Sequence, residues 1–103
     1  MIDDEVKKNF RKMCAQLGYR VEEAPGIISC EADNGICMNL IDETGELTLV
    51  KETPYEVNIK YLSNPFEVTV DKDKAIVKAE NADLIIKGGR FYLRNKKNEG
   101  KVP

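Results

Sequence analysis

The sequence predicts an α+β fold: one N-terminal helix packed on an antiparallel β-meander of about seven or eight short strands, curved strongly enough to form a partial barrel. Three observations carry that expectation. Val6, Phe10, Met13 and Leu17 recur at helical spacing. After Gly18 the pattern changes to alternation, with turn signals every eight to twelve residues. A chain of 103 residues, 42% hydrophobic and 33% charged, is long enough for one core and too apolar for wholesale disorder. Residues 1–95 read as a single domain, and the polar, unpatterned segment 96–103 as a mobile tail.

The helix is expected over residues 3–17. Asp3 or Asp4 can cap its start, and Asp3, Asp4 and Glu5 favour the positive end of the helix dipole. Gly18 sits where a left-handed residue stops a helix, and Tyr19 follows as the hydrophobic contact. Cys14 lies beside the apolar stripe, a place for a small buried thiol.

The turn signals are APG at 24–26, ADNG at 32–35, DETG at 42–45, ETP at 52–54, SNP at 63–65, DKDK at 71–74, ENAD at 80–83 and GG at 88–89. A type I turn over Ala32–Gly35 with glycine in the bulge sets Cys30 opposite Met38 and Ile28 opposite Leu40, all on one face. A two-residue Asn-Gly turn would mix the faces. In the first register Cys30 and Cys37 point to opposite sides of the sheet and cannot bond to each other. Their spacing is not that of a zinc pair, and an odd total of three cysteines argues against a disulfide framework.

In the C-terminal third a two-residue Lys72-Asp73 turn sets Phe66, Val68 and Val70 against Ala79, Val77 and Ala75, with Glu67 opposite Lys78 on the reverse side. The ENAD turn sets Ala79 opposite Leu84 and Val77 opposite Ile86. The glycine pair sets Ile86 opposite Phe91, Leu84 opposite Leu93 and Asp83 opposite Arg94. Three independent turns agree on one uninterrupted apolar face, and the helix stripe is its natural cover. Residues 46–62 give two further strands, in which Val57, Ile59 and Tyr61 alternate with Asn58 and Lys60. The register of the DETG turn is open.

Several kinds of chemistry lack their residues. The chain has no histidine, which removes Ser-His-Asp and Cys-His arrangements and the commonest metal ligand. No cofactor or metal is expected. VTVDKDKA at 68–75 superficially resembles the strand-end DxD of haloacid-dehalogenase-type phosphatases, but that motif needs a parallel sheet with far more chain after it. KGGRFYLRNKK at 87–97 is faintly similar to a strand of the RNA-recognition motif, yet Gly89 stands where that motif wants an aromatic. Asp33-Asn34-Gly35 lacks the alternating oxygen ligands of a calcium loop. Glu67 and Asp71 are the carboxylates nearest to a general acid or base, and the lysine opposite Glu67 works against a raised pKa. With apolar runs of only three or four residues and an acidic start, the chain reads as cytoplasmic, without a membrane span or export signal.

Charge is unevenly spread. Residues 1–20 carry five bases and three acids, 21–71 two bases and eleven acids, and 72–103 nine bases and four acids. The acidic stretch, with Glu22, Glu23, Glu31, Asp33, Asp42, Glu43, Glu46, Glu52 and Glu56, offers negative charge to a basic partner as a nucleic-acid mimic would, although turns are ordinary places for acids. In the basic stretch the register turns Phe91 and Leu93 inward and leaves Lys78, Lys87, Arg90, Tyr92 and Arg94 outside with Ile76 and Ile85. That candidate site is a cationic rim around an apolar patch, suited to another protein, to a second copy of the chain, or to an anionic small ligand. A pI near 5.2 argues against general nucleic-acid binding. The functional expectation is a non-enzymatic binding protein acting through protein contacts, such as a phage- or mobile-element-type inhibitor or a homodimeric module. The alternative is a binder of an anionic small molecule or nucleotide.

Overall fold

A computed structural model describes residues 2–96. It contains one helix, α1 (Asp4–Gln16), and nine strands: β1 (Arg20–Ala24), β2 (Ile27–Glu31), β3 (Ile36–Ile41), β4 (Glu46–Glu52), β5 (Val57–Ser63), β6 (Glu67–Asp71), β7 (Lys74–Lys78), β8 (Ala82–Lys87) and β9 (Arg90–Asn95). All neighbouring strands are antiparallel and follow chain order, but they form two sheets, β1–β5 and β6–β9. The expected partial barrel of seven or eight strands is thus corrected to two open sheets with nine strands. The break falls at Ser63-Asn64-Pro65. Proline has no N–H to donate to a continuing ladder, and the β7–β8 turn takes the β5 edge instead. There the Glu80 N–H donates to the Ser63 carbonyl at 2.8 Å.

α1 ends as its sequence dictates. Gly18, at φ +77°, donates to the Ala15 carbonyl, and Tyr19 N–H reaches back to the Cys14 carbonyl, a Schellman arrangement. At the start Asp3 occupies the cap position, yet its carboxylate makes no capping bond. The helix buries Phe10, Met13 and Cys14 and runs against β1, β2 and β6, bridging one side of the two sheets. Ile28, Cys30, Ile36, Met38, Leu40, Leu47, Leu49 and Leu62 of the first sheet join Val68, Ala75, Val77, Leu84 and Ile86 of the second in one apolar core. Phe91 and Leu93 face the same way but are only partly buried, because β9 is the sheet edge.

Most hairpin registers are those the turns require. Cys30 pairs with Met38 and Ile28 with Leu40. Val68 pairs with Val77, Ile86 with Phe91, and Leu84 with Leu93. Gly88 and Gly89 both take positive φ, which a two-residue hairpin turn demands and which side chains resist. The DETG turn closes as a four-residue loop with Ile41 paired to Glu46. One register differs: Val77, not Ala79, faces Leu84, so Lys78 faces Asp83. The slip of two keeps every side chain on its face. It also replaces the opposition of Asp83 and Glu80 with an opposite-charge pair.

The cysteines need a further correction. Cys14 is no free thiol: α1 sets it against β2, where it forms a disulfide with Cys30, the Cα atoms 6.1 Å apart. Both are fully buried. Cys37 is free, half-buried on the opposite face of the sheet. Of the segment expected to be a mobile tail, Lys96 is fixed by its N–H to the Asn81 carbonyl and by its ammonium to the Ala79 carbonyl. Residues 97–103 lie outside the described residues.

Candidate functional site

The inner face of the second sheet is spent on the core, so its alternate residues point outward in three cross-strand rows. The first row is Glu67, Lys78, Asp83, Arg94. The second is Thr69, Ile76, Ile85, Tyr92. The third is Asp71, Lys74, Lys87, Arg90. All seven residues of the sequence-derived site, Ile76, Lys78, Ile85, Lys87, Arg90, Tyr92 and Arg94, therefore share one surface.

Charge divides that surface unevenly. In the first row acid and base alternate and largely cancel. Arg94 donates to Asp83 at 3.0 Å, Lys96 lies 2.9 Å from the other Asp83 oxygen, and Lys78 is 4.0 Å from Glu67. Asp83 is only 5% exposed. Its two cations, Lys96 foremost, hold its carboxyl below the usual carboxylate range. Arg94 is thus occupied structurally and is a weaker candidate for an incoming anion than the sequence implied, whereas Lys78 is only loosely paired with the exposed Glu67. In the third row Lys74, Lys87 and Arg90 make no ion pair among the described residues. Asp71 lies across from Lys74, so the net positive charge gathers at Lys87 and Arg90 by the β8–β9 turn, and Lys74 adjoins it through the pairing of β7 with β8, a contact the site expectation omitted.

Tyr92 stands between these rows with 54% of its surface in solvent. Ile85 beside it and Ile76 beyond are half-buried. A shallow cleft at the turn end is lined by Lys51, Gly89, Arg90, Phe91 and Tyr92. The side-chain amide of Asn34, in the β2–β3 turn, donates to the Gly89 carbonyl at 2.7 Å and holds this corner against the first sheet. The arrangement offers apolar contact, one aromatic face and three cations converging from two hairpin ends.

Four of the nine acids singled out in the acidic stretch are held within the chain. Glu23 is bonded to Arg11, Glu31 and Asp33 to Arg20, and Asp42 to Lys7 and the Ile2 N–H. Among the described residues no three His, Cys, Asp or Glu side chains are grouped to hold a metal. The free Cys37 thiol is pushed up by burial and by nearby Glu31, which disfavours the reactive thiolate.

A second exposed surface went unassigned in the sequence. Val57, Ile59 and Tyr61 of β5 lie on the outer face of the first sheet, 57%, 46% and 56% exposed, next to half-buried Val50 and Cys37. The signal was present: a strand that alternates Val, Ile and Tyr with Asn and Lys, at an edge where neither side is fully covered.

Comparison with known proteins adds no relative: no family model matches the chain, and neither a curated protein nor a solved structure is significantly similar to it.

Proposed function

We propose that this chain is a non-enzymatic binding protein that engages another protein through the outer face of its second sheet. The observation that carries the reading is the row Thr69, Ile76, Ile85, Tyr92, open to solvent at its aromatic end and bordered by Lys74, Lys87 and Arg90, none of which forms an ion pair among the described residues. An aromatic anchor beside apolar groups, with cations at the rim, is the composition of a contact surface. The complementary partner surface presents an apolar pocket for Tyr92 with carboxylates beside it. The absence of histidine and the suppressed Cys37 thiolate support binding over catalysis. An inhibitor of the sort phages and mobile elements encode fits a chain of this size without histidine.

No helix among the described residues is long and apolar enough to cross a membrane. The cytoplasmic placement rests on the sequence. The Cys14–Cys30 bond would persist in an oxidising compartment, and in a reducing cytosol the same two sulfurs remain buried neighbours.

Affinity capture from cells that make the protein tests the reading. Wild type retains a partner, while Tyr92→Glu and Ile85→Glu lose it with unchanged circular dichroism. Retention by both variants overturns it. The cleft beside Arg90 and Tyr92 favours a second reading, an anionic small ligand held by arginine and lysine under the ring. A nucleotide at about a hundredfold its dissociation constant would add about 2.7 kcal/mol to stability in a thermal-shift screen. A flat screen discards that reading.

A further inference from the structure

We propose that two copies of this chain pair antiparallel along β5, about a two-fold axis through Asn58. β5 is the last strand of the first sheet. The backbone groups that it turns away from β4 belong to its odd-numbered residues. This is visible at its C-terminal half, where the Tyr61 carbonyl accepts from the Asn81 amide at 2.9 Å and the Ser63 N–H donates to the Asn81 Oδ1 at 2.9 Å. With the Glu80 N–H on the Ser63 carbonyl, that half of the edge is capped. At the N-terminal half the outward N–H groups of Val57 and Ile59 donate to no described residue, and their outward carbonyls accept from none. An edge with open ladder groups and apolar side chains is a template for another strand.

The sequence of β5 selects a second copy and one register. A two-fold axis at Asn58 sets Val57 opposite the partner copy's Ile59, so the open groups of one strand meet those of the other. It also sets Glu56 opposite the partner copy's Lys60, twice by symmetry, and among the described residues neither forms an ion pair within its own chain. Moving the axis to Ile59 needs the Tyr61 carbonyl, which Asn81 already holds. Moving it to Lys60 sets two lysines against each other, which is destabilising. In the favoured register Cys37, Val50 and Ile59 of one copy run on into Val57 of the other, and the apolar outer face is continued rather than left open. This interface is separate from the outer face of the second sheet and does not depend on its function.

Sedimentation velocity of the full chain over a wide concentration range tests the pairing. Wild type forms a dimer. Glu56→Lys or Lys60→Glu sets like charges in register and weakens it by about tenfold or more. The double reversal, Glu56→Lys with Lys60→Glu, restores it, and Tyr92→Glu leaves it intact. Amide exchange gives a second readout that needs no variant: protection at Val57 and Ile59 rises with wild-type concentration, while that at Ser63 does not. A wild type that stays monomeric to millimolar concentration overturns the proposal. So does a dimer that the single reversals leave unchanged, that the double reversal fails to restore, or that gives no concentration-dependent protection at Val57 and Ile59.

Discussion

Asn81 donates its side-chain amide to the carbonyl oxygen of Tyr61, 2.9 Å away, while its side-chain Oδ1 accepts from the Ser63 N–H. One residue of the β7–β8 turn thereby completes part of the ladder of β5 and couples the two sheets at the edge away from the helix. It also divides that edge into a closed half and an open half.

Asn81→Ala leaves two backbone groups of β5 without their partner. Each such hydrogen bond contributes about 0.5–1.5 kcal/mol. The expected loss is therefore about 1–3 kcal/mol in urea denaturation, with faster amide exchange at Ser63. An unchanged midpoint would mean that water replaces Asn81 at no cost.

Asp83 predicts a pH dependence. Lys96 and Arg94 lower its folded-state pKa, whereas the unfolded value is about 3.9. A depressed carboxylate pKa adds stability that is full above the unfolded value and drains away as pH falls through the folded one. Asp83→Asn should thus be less stable than wild type near neutrality, on the order of 1.5–3 kcal/mol for hydrogen bonds to a charged group. The gap should close below about pH 4. Denaturation midpoints of both proteins across that range check it, and a gap constant into strong acid would show that the charge of Asp83 is not what its neighbours recognise.

The Cys14–Cys30 bond spans 16 positions and ties the helix to β2. Closing a loop of about 15 residues constrains the unfolded chain by roughly 3 kcal/mol. Reduction, or replacement of Cys14 and Cys30 by alanine, should lower the urea midpoint accordingly. Cys37→Ser should leave the response to reductant unchanged. Equal midpoints with and without reductant in wild type would show that the bond does not form.

Much of the second sheet was legible because its turns constrain it locally. Gly88-Gly89 and Lys72-Asp73 each permit few geometries, and the face-sharing of Phe66 through Leu93 follows from alternation. The features missed are those decided by distant partners. The slip that gives Asp83 to Lys78 had a local signal in the like charges of Glu80 and Asp83, but the apolar face is the same in both registers and hid it. Cys14 meets Cys30 only through the docking of α1, and spacing along one hairpin draws attention to Cys37 instead. β1 is exposed along its length and carries little apolar pattern. The site was legible as a face, because outward side chains are fixed once inward ones are. Its electrostatics were less so: Arg94 opposite Asp83 was legible, but not that Asp83 is buried and shared with Lys96, nor that Lys74 enters through β7.

The central claim is that contact with a partner runs through the row ending at Tyr92. With the captured partner purified, its titration into isotope-labelled chain, followed by backbone and side-chain NMR, tests this directly. The account predicts shifts concentrated on Ile76, Ile85, Tyr92, Lys74, Lys87 and Arg90, with Glu22, Glu31 and Glu46 unmoved. Shifts gathered on those glutamates, with Tyr92 and its neighbours unaffected, would contradict it.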